Sequence, residues 1–169
     1  MPVMIHAFLH LPPLTLAHIL ISLLGIGSGF AALFGLIEGK PFPRWTAVFL
    51  STTMATSATG FIFFPLHPFT PAHGVGILSL AILAVAIFAR YVRGLAGAWC
   101  QTYVISAVLA QYLNFFVLVV QSFQHVPGLK TLPPAQLHST LVIVHGVFLA
   151  FFIMLAVFAV TRFRPGRAA

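Results

Sequence analysis

The sequence predicts an all-α fold: an integral membrane bundle of five transmembrane helices, with the N-terminus outside and the C-terminus inside. Three observations carry this. First, 60% of the 169 residues are hydrophobic and only 5% are charged, whereas a water-soluble domain needs roughly a quarter charged residues to solvate its surface. Second, the chain contains five long apolar runs, close to the roughly 20 residues that cross a hydrocarbon core of about 30 Å at a helical rise of 1.5 Å. Third, the Lys and Arg residues follow alternate runs, as the retention of cations on the cytoplasmic side requires.

The first span covers about 14–37. Pro12 and Pro13 suit a helix start, and Glu38-Gly39-Lys40-Pro41 closes it. The second runs over 45–64 and stops at Pro65; the third covers 72–90, after the breakers Pro68 and Pro71. The fourth takes 98–124 and the fifth 138–161, with short Pro- and Gly-rich connections suited to antiparallel neighbours. The whole chain, 1–169, reads as one transmembrane domain. No basic n-region or small-residue cleavage site precedes the first span, which is therefore expected to be retained.

Lys40 and Arg44 follow the first span, Arg90 and Arg93 the third, and Arg162, Arg164 and Arg167 the fifth; the opposite side has only Lys130. Seven against one supports both the number of crossings and the direction. The formal net charge of +7 does not point to nucleic acid, because the cations stand singly between apolar runs and form no phosphate-tracking face. Glu38 is the only acid and Cys100 the only cysteine, so carboxylate pairs, acid-oriented triads, internal disulfides and Cys-based zinc sites are excluded. No phosphate-cradling GxxxxGK[ST] loop occurs. The sequence points to no catalytic activity of its own, although it does not decide the matter.

On this topology all eight histidines lie toward the outside. His6 and His10 precede the first span, and His18 lies about 6 Å inside it by helical rise. His67 and His73 flank the start of the third span, His125 ends the fourth, and His138 opens the fifth. His145 lies about 10 Å deeper along that fifth span. Imidazole is the commonest metal ligand and an axial ligand of b-type haem, and ionisable residues inside spans are candidate sites by default. His18 and His145, with His73 at a shallower level, are therefore the candidate ligands for haem b, copper or zinc. The competing reading leaves the histidines at the interface or in hydrogen bonds between helices. Met1 and Met4 beside His6 and His10 add a weaker copper-like pattern.

In the fourth span Gln111, Asn114, Gln121 and His125 recur at helical spacing, a polar stripe expected to face the bundle, a partner or a small cavity. Its functional reading is a quinone headgroup site, a proton path or support for a metal-bound histidine; its structural reading is hydrogen bonding between helices. The first span aligns His18, Ser22, Gly25, Gly29 and Ala32, in which Gly25 and Gly29 form a small-residue seam for close helix packing. Thr52, Thr56 and Thr59 share one face of the second span, where hydroxyls can return bonds to their own backbone. Arg90 and Arg93 read as topology determinants and lipid-headgroup contacts.

The strings WTAVFLSTTMATSATGFIFFP, SLAILAVAIFARYVRGLAGAWCQTYV and YLNFFVLVVQSFQHVPGLKTLPP resemble a class of uncharacterised bacterial polytopic membrane proteins with outward-facing histidines. That resemblance implies a multi-pass protein of the bacterial inner membrane. A looser similarity links the outward histidines to membrane proteins that mature haem-copper oxidases. The expectation is a small membrane subunit, in contact with lipids and other membrane protein subunits, that binds haem b or a metal near the periplasmic face. Its role would be electron transfer, anchoring or assembly of a respiratory or photosynthetic complex. A cofactor-free structural subunit packing against larger partners, and a transporter of a quinone or other small molecule, are the alternatives.

Overall fold

A computed structural model describes residues 12–63, 69–131 and 133–164. His6, His10 and His67, Met1, Met4 and Arg167 lie outside the described residues. Five long helices form: α1 (Pro13–Ile37), α2 (Pro43–Phe63), α3 (Pro71–Ile87), α4 (Ala98–His125) and, after the single turn α5 (Pro127–Lys130), α6 (Pro134–Arg162). All described regular structure is helical, as expected.

Proline sets the starts. Pro13, Pro43, Pro71 and Pro134 are each the first helical residue, where the missing N–H would have no intrahelical acceptor in any case and the ring presets φ. The expected spans therefore begin slightly late. The largest difference is in α6, which starts four residues before His138, so that His138 lies one turn inside the helix.

α3 passes into a π-helical turn, Phe88–Val92, closed by the Arg93 N–H donating to the Phe88 carbonyl at 3.0 Å. The chain then reverses through Gly94, Leu95 and Gly97, all with φ between 55° and 59°.

Four helical segments, Pro13–Ile37, Pro71–Val92, Ala98–His125 and Gln136–Arg162, are long and apolar enough to cross a membrane. α2 is the least apolar of the five long helices because of its Ser and Thr residues. Several of those hydroxyls are already bonded within the helix: Thr52 to the Val48 carbonyl at 2.6 Å and Thr59 to the Ala55 carbonyl at 2.7 Å. Ser57 instead crosses to Ser79 of α3 at 3.1 Å.

α4 is the central helix, half buried along its most apolar stretch and packed against α1, α3 and α6. α1 completes the middle by contacting α2, α4 and α6. The core joins Leu33 and Leu36 of α1, Phe49 of α2, Leu83 of α3, Tyr103, Val104 and Ala107 of α4, and Phe152 of α6. α6 is peripheral: only 6% of its most apolar stretch is buried, and Ile143, Val147, Ile153 and Val157 stand exposed as lipid-facing side chains do.

The long helices alternate in direction. Pro41, Arg90, Tyr91 and Phe163 meet at one end. At the other, His18 of α1 meets Thr59 of α2 and His73 of α3 stacks on Phe61 of α2. Among the described residues the cations other than Lys130 thus lie toward the end opposite His18 and His73.

Candidate functional site

The polar stripe of α4 divides into two halves with different surroundings. Gln111 is fully buried, and its Nε2 donates to the Ile26 carbonyl of α1 at 2.8 Å. That bond needs a gap in α1, and Gly29 supplies it: a Cβ there would collide with the Gln111 amide and stand 2.9 Å from the Phe49 ring. Gln111 Oε1 has no hydrogen-bond partner among the described residues. It lies along the direction a Gly29 side chain would take, so its neighbour is the Gly29 Cα–H, a weak donor. One turn on, Asn114 Nδ2 donates to Thr53 Oγ1 of α2 at 2.9 Å, and Thr53 is itself fully buried. Gly25 faces the same place, since a Cβ there would lie 3.2 Å from Thr52 Oγ1 and 3.3 Å from Thr53 Oγ1. The two amides and two glycines therefore lock α1, α2 and α4 together at mid-bundle.

The outer half of the stripe does not enter the bundle. Gln121 and His125 are exposed, and His125 Nδ1 lies 3.0 Å from the Gln121 carbonyl of its own helix. Of the surroundings expected for the stripe, Gln111 and Asn114 have the bundle, while Gln121 and His125 are exposed. The helix still has neighbours at this level, since Val119 and Phe123 are buried, so Gln121 and His125 are exposed because they lie on a face turned away from those neighbours, which a single-helix pattern does not show.

The three candidate ligand histidines sit at different helix contacts. His18 Nδ1 is 2.9 Å from Thr59 Oγ1. Thr59 already donates its hydroxyl hydrogen to the Ala55 carbonyl, so it accepts here and His18 Nδ1 carries the proton. The carbonyl of His18 in turn accepts from Ser22 Oγ at 2.7 Å, and that oxygen reaches Thr56 Oγ1 at 3.4 Å. This joins the α1 stripe to the threonine face of α2.

His73 is buried and closes a capping box at the start of α3. Its Nδ1 accepts from the Thr70 N–H at 3.0 Å and lies 2.9 Å from the Thr70 hydroxyl, while its ring lies against Phe61 and Phe69. With Nδ1 accepting, the neutral ring carries its proton on Nε2 and presents no lone pair there. That is the opposite tautomer to His18.

His145 is the third case. Its Nδ1 lies 2.7 Å from the Leu141 carbonyl, which can only accept, so the proton is on Nδ1 and the lone pair on Nε2. The ring packs against Phe116 of α4 with centroids 4.3 Å apart. Nε2 is buried and has no hydrogen-bond partner among the described residues. A ring nitrogen donating to a backbone carbonyl while the other points a lone pair inward is the arrangement that fixes a metal-bound histidine.

His18, His73 and His145 do not converge. Among the described residues no three of His, Cys, Asp or Glu form a group that could hold a metal ion. His18 faces α2, His73 caps α3 beside α2, and His145 faces α4.

At the basic end the structure adds a grouping that the sequence reading treated only as topology determinants. The Arg90 guanidinium lies 5.3 Å from the ring centre of fully buried Tyr103, and Arg93 lies 5.3 Å from that of Trp99. A tyrosine inside the apolar start of the fourth span was the available signal. Comparison with protein-family models, curated proteins and solved structures finds no match for this chain.

Proposed function

We propose that this chain is a small five-crossing subunit of the bacterial inner membrane, with its basic end cytoplasmic, whose outer half contributes the His145 imidazole to a haem b, copper or zinc site. Its role is electron transfer, anchoring or assembly within a larger respiratory or photosynthetic complex. The observation that supports the cofactor is the buried Nε2 lone pair of His145, which has no partner among the described residues. A buried polar atom left unsatisfied costs about 1–3 kcal/mol, and a bound ligand would remove that cost.

A single axial histidine suffices for haem, whereas copper or zinc needs further ligands. His18 remains the second candidate from this chain, and a partner subunit supplies whatever this chain does not. His73 contributes through capping.

The test is an absorption spectrum with elemental analysis on protein gently solubilised from native membranes. A Soret band or stoichiometric metal, lost in His145→Ala and kept in His73→Gln, is the expected result. Absence of both from the intact complex overturns the reading.

A second reading, a cofactor-free structural subunit, is supported by the amides and glycines at mid-bundle, which hydrogen bonding and packing within the chain account for without a cofactor; partner packing would then use other faces, such as that of exposed α6. On that reading His145→Ala leaves complex assembly unchanged.

A further inference from the structure

The end of the bundle opposite the histidines carries a cleft of about 300 Å³ lined by Pro41, Arg90, Tyr91, Gly94, Leu95 and Phe163. Its composition is amphipathic: one permanent cation against apolar walls. Arg90 is half-buried and lies 5.6 Å from the ring centre of Tyr91 and 5.3 Å from that of Tyr103, contacts that orient a guanidinium without neutralising it. Lys40, Arg44, Arg93, Arg162 and Arg164 share this end, and Glu38 is the only acid in the chain, so no set of internal carboxylates balances them. A second cleft of about 240 Å³, bearing Arg164, adjoins the first across Leu95 and Phe163, which line both.

Leu95 is the unusual element. It holds φ at 59°, a conformation that suits glycine and is strained for a branched apolar side chain, although glycines stand at 94 and 97 in the same loop. The leucine side chain is used twice: one part packs against the core, and the rest forms an apolar wall between the two clefts.

We propose that this pair of clefts binds an anionic phospholipid, with the phosphate on Arg90 and an acyl chain along exposed Tyr91 and half-buried Leu95. A guanidinium presents paired N–H donors that match a phosphate, and basic pockets at the ends of membrane helices are suited to lipid headgroups. Charge complementarity selects the anionic lipid over a zwitterionic one, and the apolar walls select a lipid over free phosphate.

The full chain, delipidated in detergent, is incubated with phosphatidylglycerol or phosphatidylcholine, and retained lipid is read by native mass spectrometry. Phosphatidylglycerol is expected to remain bound and to raise the melting temperature, while phosphatidylcholine does neither. Arg90→Gln should weaken retention at least tenfold, with Arg44→Gln, outside both clefts, unchanged. Leu95→Gly removes the wall and relieves the backbone while giving up some packing on the core, so it should weaken retention with the helical circular dichroism unchanged, and it decides the matter alone if Arg90→Gln does not fold. Unchanged retention in Leu95→Gly, equal losses in Arg44→Gln and Arg90→Gln, or displacement of the lipid by inorganic phosphate overturns the proposal.

Discussion

At Gly29 a single hydrogen atom decides whether two helices can touch. The Gln111 amide occupies the volume where any other residue would place its Cβ, so Gly29→Ala forces apart α1 and α4 or expels the amide from its bond to the Ile26 carbonyl. Overpacking of this kind costs about 1–3 kcal/mol. Gln111→Ala alone should cost less for its hydrogen bond, because such bonds between membrane helices average about 0.6 kcal/mol, although a cavity adds to it. The double variant is expected to be more stable than the sum of the two single losses, since the alanine methyl at 29 then enters the space the amide leaves. Thermal unfolding of the four proteins in detergent measures the coupling, and strict additivity would refute the contact. His73 calls for a different outcome. Its Nδ1 accepts the Thr70 N–H at the start of α3, so His73→Ala should lower stability by about 1 kcal/mol, as loss of a cap does, and leave any haem or metal signal intact.

Helix α2 tests how a membrane element is recognised. Its 21 residues reach about 31 Å, enough to cross the hydrocarbon core, yet it is the least apolar of the five long helices. Hydropathy counts each Ser and Thr as a polar cost, whereas Thr52 and Thr59 return their hydroxyl hydrogens to their own helix and Thr53 receives Asn114. We therefore expect α2 to cross. Cysteines placed at Lys40 and Ala72, on either side of it, should react with a membrane-impermeant reagent from opposite faces; reaction from a common face would remove the fifth crossing. The helices themselves were legible in the sequence because apolar length is a local property, and Pro13 and Pro71 marked their starts to within a residue or so. Tertiary placement was not legible. Helical spacing put Gln111 and Gln121 on one stripe, but only the neighbours of α4 make the first a buried tie and leave the second exposed. In the same way the depths of His18 and His145 could be read from the chain, and the separate helix contacts they serve could not.

Across the whole molecule, burial and charge follow different axes. Burial is radial, from α4 at the centre to α6 at the rim; charge is axial, with Lys40, Arg44, Arg90, Arg93, Arg162 and Arg164 at one end and the described histidines toward the other. The radial gradient sets which substitutions matter for folding. Phe152, almost fully buried against Phe30 and Tyr112, should cost about 3–5 kcal/mol as alanine, while exposed Val147 as alanine should leave the melting temperature unchanged. The axial gradient sets direction, because cytoplasmic retention acts on cations near the ends of spans and has little dependence on acids. If that end is cytoplasmic, the cations around α1 and α2 carry much of the instruction. Replacing Lys40 and Arg44 by Gln while inserting two lysines beside Ala72 should then yield a mixture of orientations, since the contrast across α2 is reversed while Arg90, Arg93, Arg162 and Arg164 still favour the original one. Labelling of a cysteine at position 72 reads the proportion: reaction from outside alone in the parent, and from both faces in the variant. A variant that stays wholly in the parental orientation would mean that later spans, and not the first two, determine how the bundle enters the membrane.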